Sequence, residues 1–181
     1  MKLKWMGLLV ALSLCSVLLL YRRESLVIWL LVTKQCPGCD LKGKNLLGAE
    51  LQGANLQGAN LSDANLSEAN LQGSNLASAS LERADLSLSN LSHASLVDAN
   101  VRTANLSGAN LISADFQDAE LRQSNLLFAD LQGANLGNVD LRQVDLHGAN
   151  LLQTELVGTV LPTPKVQTDN PHQTLDFKVK R

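Results

Sequence analysis

The sequence predicts an all-β solenoid behind an N-terminal hydrophobic helix, and three observations predict it. From Leu41 to Leu161 a large apolar residue returns at every fifth position, and twenty-three of these twenty-five centres are leucine, with Val101 and Phe116 the exceptions. Two positions before each centre stands a small residue, in sixteen cases alanine, and the position just before each centre is usually Asn or Asp. Two positions after the centre sit nine of the twelve glycines, Gly43, Gly53, Gly108 and Gly148 among them.

A period of five fits neither regular element in a straight run. On an α-helix of 3.6 residues per turn, successive leucines would step about 140° and coat every face. On a straight strand an odd period sends alternate leucines to opposite sides. The backbone must therefore turn a corner in every repeat. If each pentapeptide forms one short side of a coil and then bends, every leucine points to a common axis and every alanine fits beside it near the corner. Asn, Asp and Gly then take turn roles, because Asx side chains bond nearby backbone and glycine tolerates φ > 0.

The segments AN-Leu56-QG, AN-Leu61-SD and AD-Leu131-QG follow the pattern A(D/N)LXX, and on these residues the chain resembles the pentapeptide-repeat family over about two thirds of its length. That resemblance implies a right-handed quadrilateral β-helix with four repeats per coil. The array then makes about six coils and, at about 4.8 Å per coil, a rod of roughly 30 Å.

Four segments follow: 1–24 as signal-anchor or signal peptide, 25–39 as capping helix and CPGC turn, 40–161 as the β-helix, and 162–181 as a disordered tail. Trp5 to Leu20 is apolar, preceded by Lys2 and Lys4 and followed by Arg22 and Arg23. Its length is near the lower limit for a spanning helix and also suits a signal-peptide core. The small-residue cleavage signal is poor, so membrane attachment through residues 5–21 is expected, with export after cleavage as the alternative. Ser25 to Thr33 is too short to span, and is expected to lie as a hydrophobic cap over the first coil. Lys44 occupies a small-residue slot and marks that coil as imperfect. The last twenty residues hold three prolines and no periodicity.

Cys36-Pro37-Gly38-Cys39 is the one motif able to carry redox chemistry. A CxxC works as a redox pair where a helix N-terminus lowers one thiol pKa, but here it runs straight into the repeats with no βαβ context. A structural disulfide or plain turn is the preferred reading, and a thiol redox protein the rival. No second CxxC or nearby histidine completes a zinc site. The string CPGCDL resembles exported cyanobacterial pentapeptide-repeat proteins, which implies a repeat domain outside the cytoplasm, in periplasm or thylakoid lumen.

With four repeats per coil, residues twenty apart stack, and the surface reads as columns. Arg102, Arg122 and Arg142 fall in one column, extended by Glu82 with Arg83 alongside. The row repels itself unless acids or an anionic partner lie against it, and Glu120 and Asp140 are placed to neutralise it. A balanced solvated face is the preferred reading, an anion or partner patch the alternative. Leu88 and Phe128 share a second column, with Leu127 beside the latter and Gly108 between them in the stack. They suit self-association, membrane contact or ordinary exposure. Asp98 and Asp118 make a short acidic stripe. His93, His147 and His172 do not converge, and no serine has a base beside it.

Charge sharpens the functional reading. Residues 40–161 carry six bases against fourteen acids, a net −8, and lack the basic runs of a nucleic-acid binder. The expected function is a non-enzymatic, cofactor-free scaffold or protein-interaction rod, tethered or exported, with another protein as partner, no nucleic acid, and homo-oligomerisation open. A second expectation comes from the resemblance, because quinolone-resistance members of the family mimic DNA and bind gyrase. The hydrophobic N-terminus and the arginine column count against that reading.

Overall fold

The computed structural model describes residues 26–162. A short helix, α1, covers residues 26–33, and from Gln35 the chain winds as a coil of repeated short sides. Parallel bridges join residues twenty apart, from Gln35↔Asn55 to Asp140↔Val160. Twenty residues per coil at five per side give four sides, the quadrilateral section that the family resemblance implied. Each side contributes one bridging residue rather than a continuous strand, because only the centre follows it before the two turn residues.

The turns explain why glycine is optional. In each repeat the N–H of the small residue donates to the carbonyl of the preceding centre, as Ala54 does to Leu51 at 3.0 Å. The second turn residue takes the left-handed conformation, with φ of +65° at Gly53 but also +59° at Asp63 and +57° at Leu88 and Phe128. An L-residue there costs about 1–2 kcal/mol. The coil-to-coil ladder holds it in place: Leu88 N donates to Ser107 O at 2.9 Å.

The centres line the axis. We number the faces by their centres: the first runs through Leu56, Leu76, Leu96, Phe116 and Leu136; the second through Leu41, Leu61, Leu81, Val101, Leu121 and Leu141; the third through Leu46, Leu86 and Leu126; the fourth through Leu51, Leu91 and Leu131. All of these are at most 2% exposed. Burial of each leucine contributes ~1.5–3 kcal/mol. The alanines fill the corners between them, and where serine replaces alanine at 89 and 124 the hydroxyl donates to Leu86 O and Leu121 O, both at 2.6 Å.

The ladder starts at Gln35, one side earlier than the leucine period, because Cys36 takes a centre position on the first face and is 1% exposed. Pro37 and Gly38 form the turn of that side. α1 closes this end: Leu30 is fully buried, Leu26 and Val27 pack against the core, and the Lys34 ammonium donates to Glu50 O. The Lys44 side chain is half-buried in its small-residue slot, while its backbone keeps the ladder, accepting from Asn65 N at 2.9 Å. At the opposite end Leu151, Leu156 and Leu161 are only partly buried. Among the described residues no helix is long and apolar enough to cross a membrane. The 5–21 segment and the tail from residue 163 lie outside the described residues.

Candidate interaction faces

Every described arginine stands on the second face. Arg102, Arg122 and Arg142 stack in one outward column, where exposed acids meet them. Asp140 accepts from Arg142 Nε at 2.9 Å and Nη2 at 2.7 Å, and from Arg122 Nε at 3.0 Å. Arg102 reaches Glu120 at 3.6 Å. Toward the other end of the same face Arg83 pairs with Asp63 and Glu82 at 2.7 Å, and Lys42 lies 3.7 Å from Asp63. These are all the ion pairs among the described residues. The hydrogen bonds from the Arg142 guanidinium and backbone, with the hydrogen bond from Arg122 and the Arg142 charge, outweigh burial and hold the Asp140 carboxyl well below the usual carboxylate range. Arg83 lowers Asp63 in the same way.

This face also carries the one missing rung of the ladder. Glu120 and Asp140 stand twenty residues apart but form no bridge, and the expected bonds from Leu121 N to Asp140 O, Asp140 N to Ala119 O and Gln123 N to Arg142 O are absent. Gln143 is the one second-turn residue from Gly38 to Gly158 whose φ is not positive. Val139 and Val144 fill the small-residue slots at both ends of this one side, where most repeats carry alanine, and extra methyls at two adjacent close-packed corners are a source of overpacking that can open a stack. A cleft of about 340 Å³ lies at the missing rung, lined by Arg102, Asp118, Glu120, Arg122 and Asp140. Valine in the small slot of two consecutive repeats is what sets this side apart in the sequence.

On the third face Leu88 and Phe128 are 66% and 65% exposed. Each is seated on a glycine of the next coil. Leu88 leans across Gly108, with Cδ2 2.8 Å from where a Cβ on Gly108 would stand, and the Phe128 ring covers Gly148 in the same way. The Phe128 ring also meets the His147 ring edge-on at 6.2 Å, and Leu127 is half-buried beside it. The result is an apolar strip one face away from the arginines.

The remaining candidate residues stay apart. Asp118 accepts from Asn138 Nδ2 at 2.9 Å on the first face, continuing the short acidic stripe as an amide ladder. His93 and His147 stand on different faces, and among the described residues no group of His, Cys, Asp and Glu is arranged to hold a metal ion. Cys36 and Cys39 are joined as a disulfide with Cα atoms 5.3 Å apart. The Cys36 sulfur belongs to the core, which removes it from the reach that thiol exchange requires.

The pentapeptide repeat description matches in eight copies, over residues 38–68, 64–102, 89–126 and 124–161. The chain belongs to the pentapeptide-repeat family. The right-handed β-helix of that family is therefore its fold. Among solved structures, the chain is 34% identical to HetL, a pentapeptide repeat protein involved in heterocyst differentiation regulation in the cyanobacterium Nostoc sp. strain PCC 7120, over 71% of this chain and 64% of HetL, with a TM-score of 0.29. The chain thus spans less than two thirds of HetL. It is 33% identical to the pentapeptide repeat protein Rfr23 of the cyanobacterium Cyanothece 51142, over 76% of this chain and 98% of Rfr23, TM-score 0.33. A pentapeptide repeat protein of the Arabidopsis thaliana thylakoid lumen is 26% identical over 59% of this chain and 68% of its own, TM-score 0.32. No curated protein matches.

Proposed function

We propose that this pentapeptide-repeat protein is a non-enzymatic scaffold held at a membrane by residues 5–21, with its repeat rod outside the cytoplasm, and that it docks a partner protein on the third face. One observation carries the reading: Leu88 and Phe128 stand exposed in one column of the third face, with Leu127 beside the latter, each seated on a glycine of the next coil, Gly108 and Gly148. An exposed aromatic ring such as Phe128, flanked by apolar side chains on a rigid surface, is an anchor of the kind that protein interfaces enrich. The rigidity comes from the ladder, so little ordering cost accompanies binding. The neighbouring second face, with charges of both signs in fixed order, supplies selectivity rather than bulk attraction, since its exposed pairs are worth little by themselves.

Two measurements test this. A C-terminal reporter active only outside the cytoplasm, fused to the full-length chain, should be active in the membrane fraction; activity of a cytoplasm-dependent control in its place would overturn the location. A photo-crosslinker at Leu127 should yield a discrete adduct in cells, lost on Phe128→Ser. An equal adduct from Gln72, on the fourth face, would show that the third face is not the docking surface.

A further inference from the structure

α1 has two apolar sides and the coil uses only one of them. Leu26, Val27 and Leu30 face the first coil, and Leu30 is fully buried. On the other side Ile28 is 61% exposed, Trp29 58% and Val32 77%, with Leu31 at 39% between the two sides. End caps of solenoids need a polar outer surface to stay soluble. This cap presents the reverse, so something apolar covers it.

The charge of the rod indicates what. The three described lysines, Lys34, Lys42 and Lys44, all stand in the first coil or at its entrance, against Asp40 and Glu50. Beyond residue 55 the described chain holds four arginines against twelve acids. The end that bears the apolar helix is therefore the basic end of an acidic rod. Five residues before α1 in the sequence the uncharged stretch Trp5 to Leu20 ends, and the five between, YRRES, include Arg22 and Arg23. An apolar helix surface containing tryptophan, at an end of the rod that gathers its lysines and preceded in the sequence by two arginines and a long apolar stretch, has the composition of a bilayer interface anchor. Residues 5–20 themselves are a poor alternative cover. They carry no charged residue and only two serines to turn to water, so laying them over α1 would only move the exposed apolar surface outward.

We infer that the outer side of α1 lies in the interface of an anionic lipid bilayer, so that the rod stands end-on, its axis along the membrane normal. This rests on the membrane-held reading above and adds the contact surface and orientation to it. With α1 in the headgroup region, the Leu88–Phe128 strip projects away from the lipid, and Phe128 stands two coils, about 10 Å, beyond Leu88 along the axis. End-on seating leaves all four lateral faces free, whereas a rod lying flat would hide one or two of them.

Trp29 reports on its own depth once Trp5 is removed, because the chain has two tryptophans. The full-length Trp5→Phe protein is reconstituted into liposomes of phosphatidylcholine with phosphatidylglycerol. In separate samples the lipid is brominated close to the headgroup or near the end of the acyl chain. The expected result is co-flotation with the vesicles and Trp29 emission at least halved by the shallow bromines, with a much smaller loss from the deep ones. Strongest quenching from the deep bromines would make α1 part of a spanning segment and overturn the seating. Co-flotation without quenching would overturn it while leaving the tether intact. Failure to float would remove the tether, and the seating with it. An Ile28→Asp/Val32→Asp variant in the same background should still float through residues 5–21 and lose the shallow quenching. Its melting curve should match the parent, since neither side chain touches the coil; a loss of fold in this variant would mean that the outer side packs against protein.

Discussion

At the scale of the residue, the rule that emerges is that a side chain is judged by its neighbour twenty positions away. Gly58 and Gly148 both take positive φ, +64° and +69°, so alanine strains either. At Gly58 nothing lies within 4 Å of a new Cβ, and at Gly148 the Phe128 ring occupies the place. Gly58→Ala should therefore cost about 1 kcal/mol, the left-handed penalty less the entropy lost from the unfolded chain. Gly148→Ala should cost roughly 2–3 kcal/mol, because the ring must also move. In a Phe128→Ala background Gly148→Ala should fall back to the Gly58 value, and a double-mutant cycle in denaturant measures that coupling. Among the ion pairs Arg83–Asp63 keeps that spacing, while Asp140 draws on Arg122, eighteen residues before it, and Arg142, two after it. Asp140 has its carboxyl lowered, so the stability it contributes is full above the unfolded carboxylate range near pH 4 and is lost as pH falls through that range toward its folded value. The difference in melting temperature between the protein and Asp140→Asn should be constant from pH 7 to about 4.5 and shrink below it; a difference that grows in acid would mean that the carboxylate is destabilising.

At the scale of the element, one side of one coil departs from the rest, and it does so where two valines replace small residues. The period of five, the small-residue slot and the Asx position made a coil that turns in every repeat readable, because each is a requirement that every repeat imposes again; its four sides came from the family resemblance. Cys36 was not readable as a centre: the leucine period begins at Leu41, and a cysteine fits a centre by size alone, without the leucine that marks the others. The missing rung between Glu120 and Asp140 was equally hidden, since Val139 and Val144 are apolar and only overpacking at two adjacent corners would make them matter. The arginine column could be placed by counting in twenties, but the pairing of Arg122 and Arg142 on the same carboxylate depended on side-chain reach. If the valines open the rung, Val139→Ala/Val144→Ala should close it. The Leu121 and Asp140 amides, without backbone acceptors in the parent, should exchange with deuterium more than tenfold faster than the bridged amides of Val101 and Glu120, a factor that corresponds to about 1.4 kcal/mol of lost protection. In the double variant that gap should disappear; if it persists, the acids and arginines rather than the corners hold the coil apart.

At the scale of the whole molecule, the rod is a one-dimensional stack whose coils are stabilised by their neighbours, so its ends decide where unfolding starts. The ends are unequal. At the first coil α1 places Leu30 over the axis, and Leu41 and Leu51 are fully buried beneath it. At the last coil the centres Leu151, Leu156 and Leu161 are half-buried, and Leu152 and Val157 are 55% and 66% exposed. A coil with a neighbour on one side only forfeits half of its ladder bonds and much of its leucine burial, and the helix compensates for that loss at the N-terminal end. Opening should therefore propagate from residue 161 backward, assisted by the missing rung, which weakens the joint between the coils holding Glu120 and Asp140. Native-state hydrogen exchange should show the lowest protection over residues 141–161, a rise near residue 121, and protection at Leu56 close to that of the central Leu96. Leu30→Asp should reverse the order by burying an unpaired charge at the N-terminal axis, so that residues 35–56 exchange first. Should the unmodified protein already open at its N-terminal coil, α1 would contribute nothing as a cap, and its burial of Leu30 would have to be maintained by the membrane contact instead.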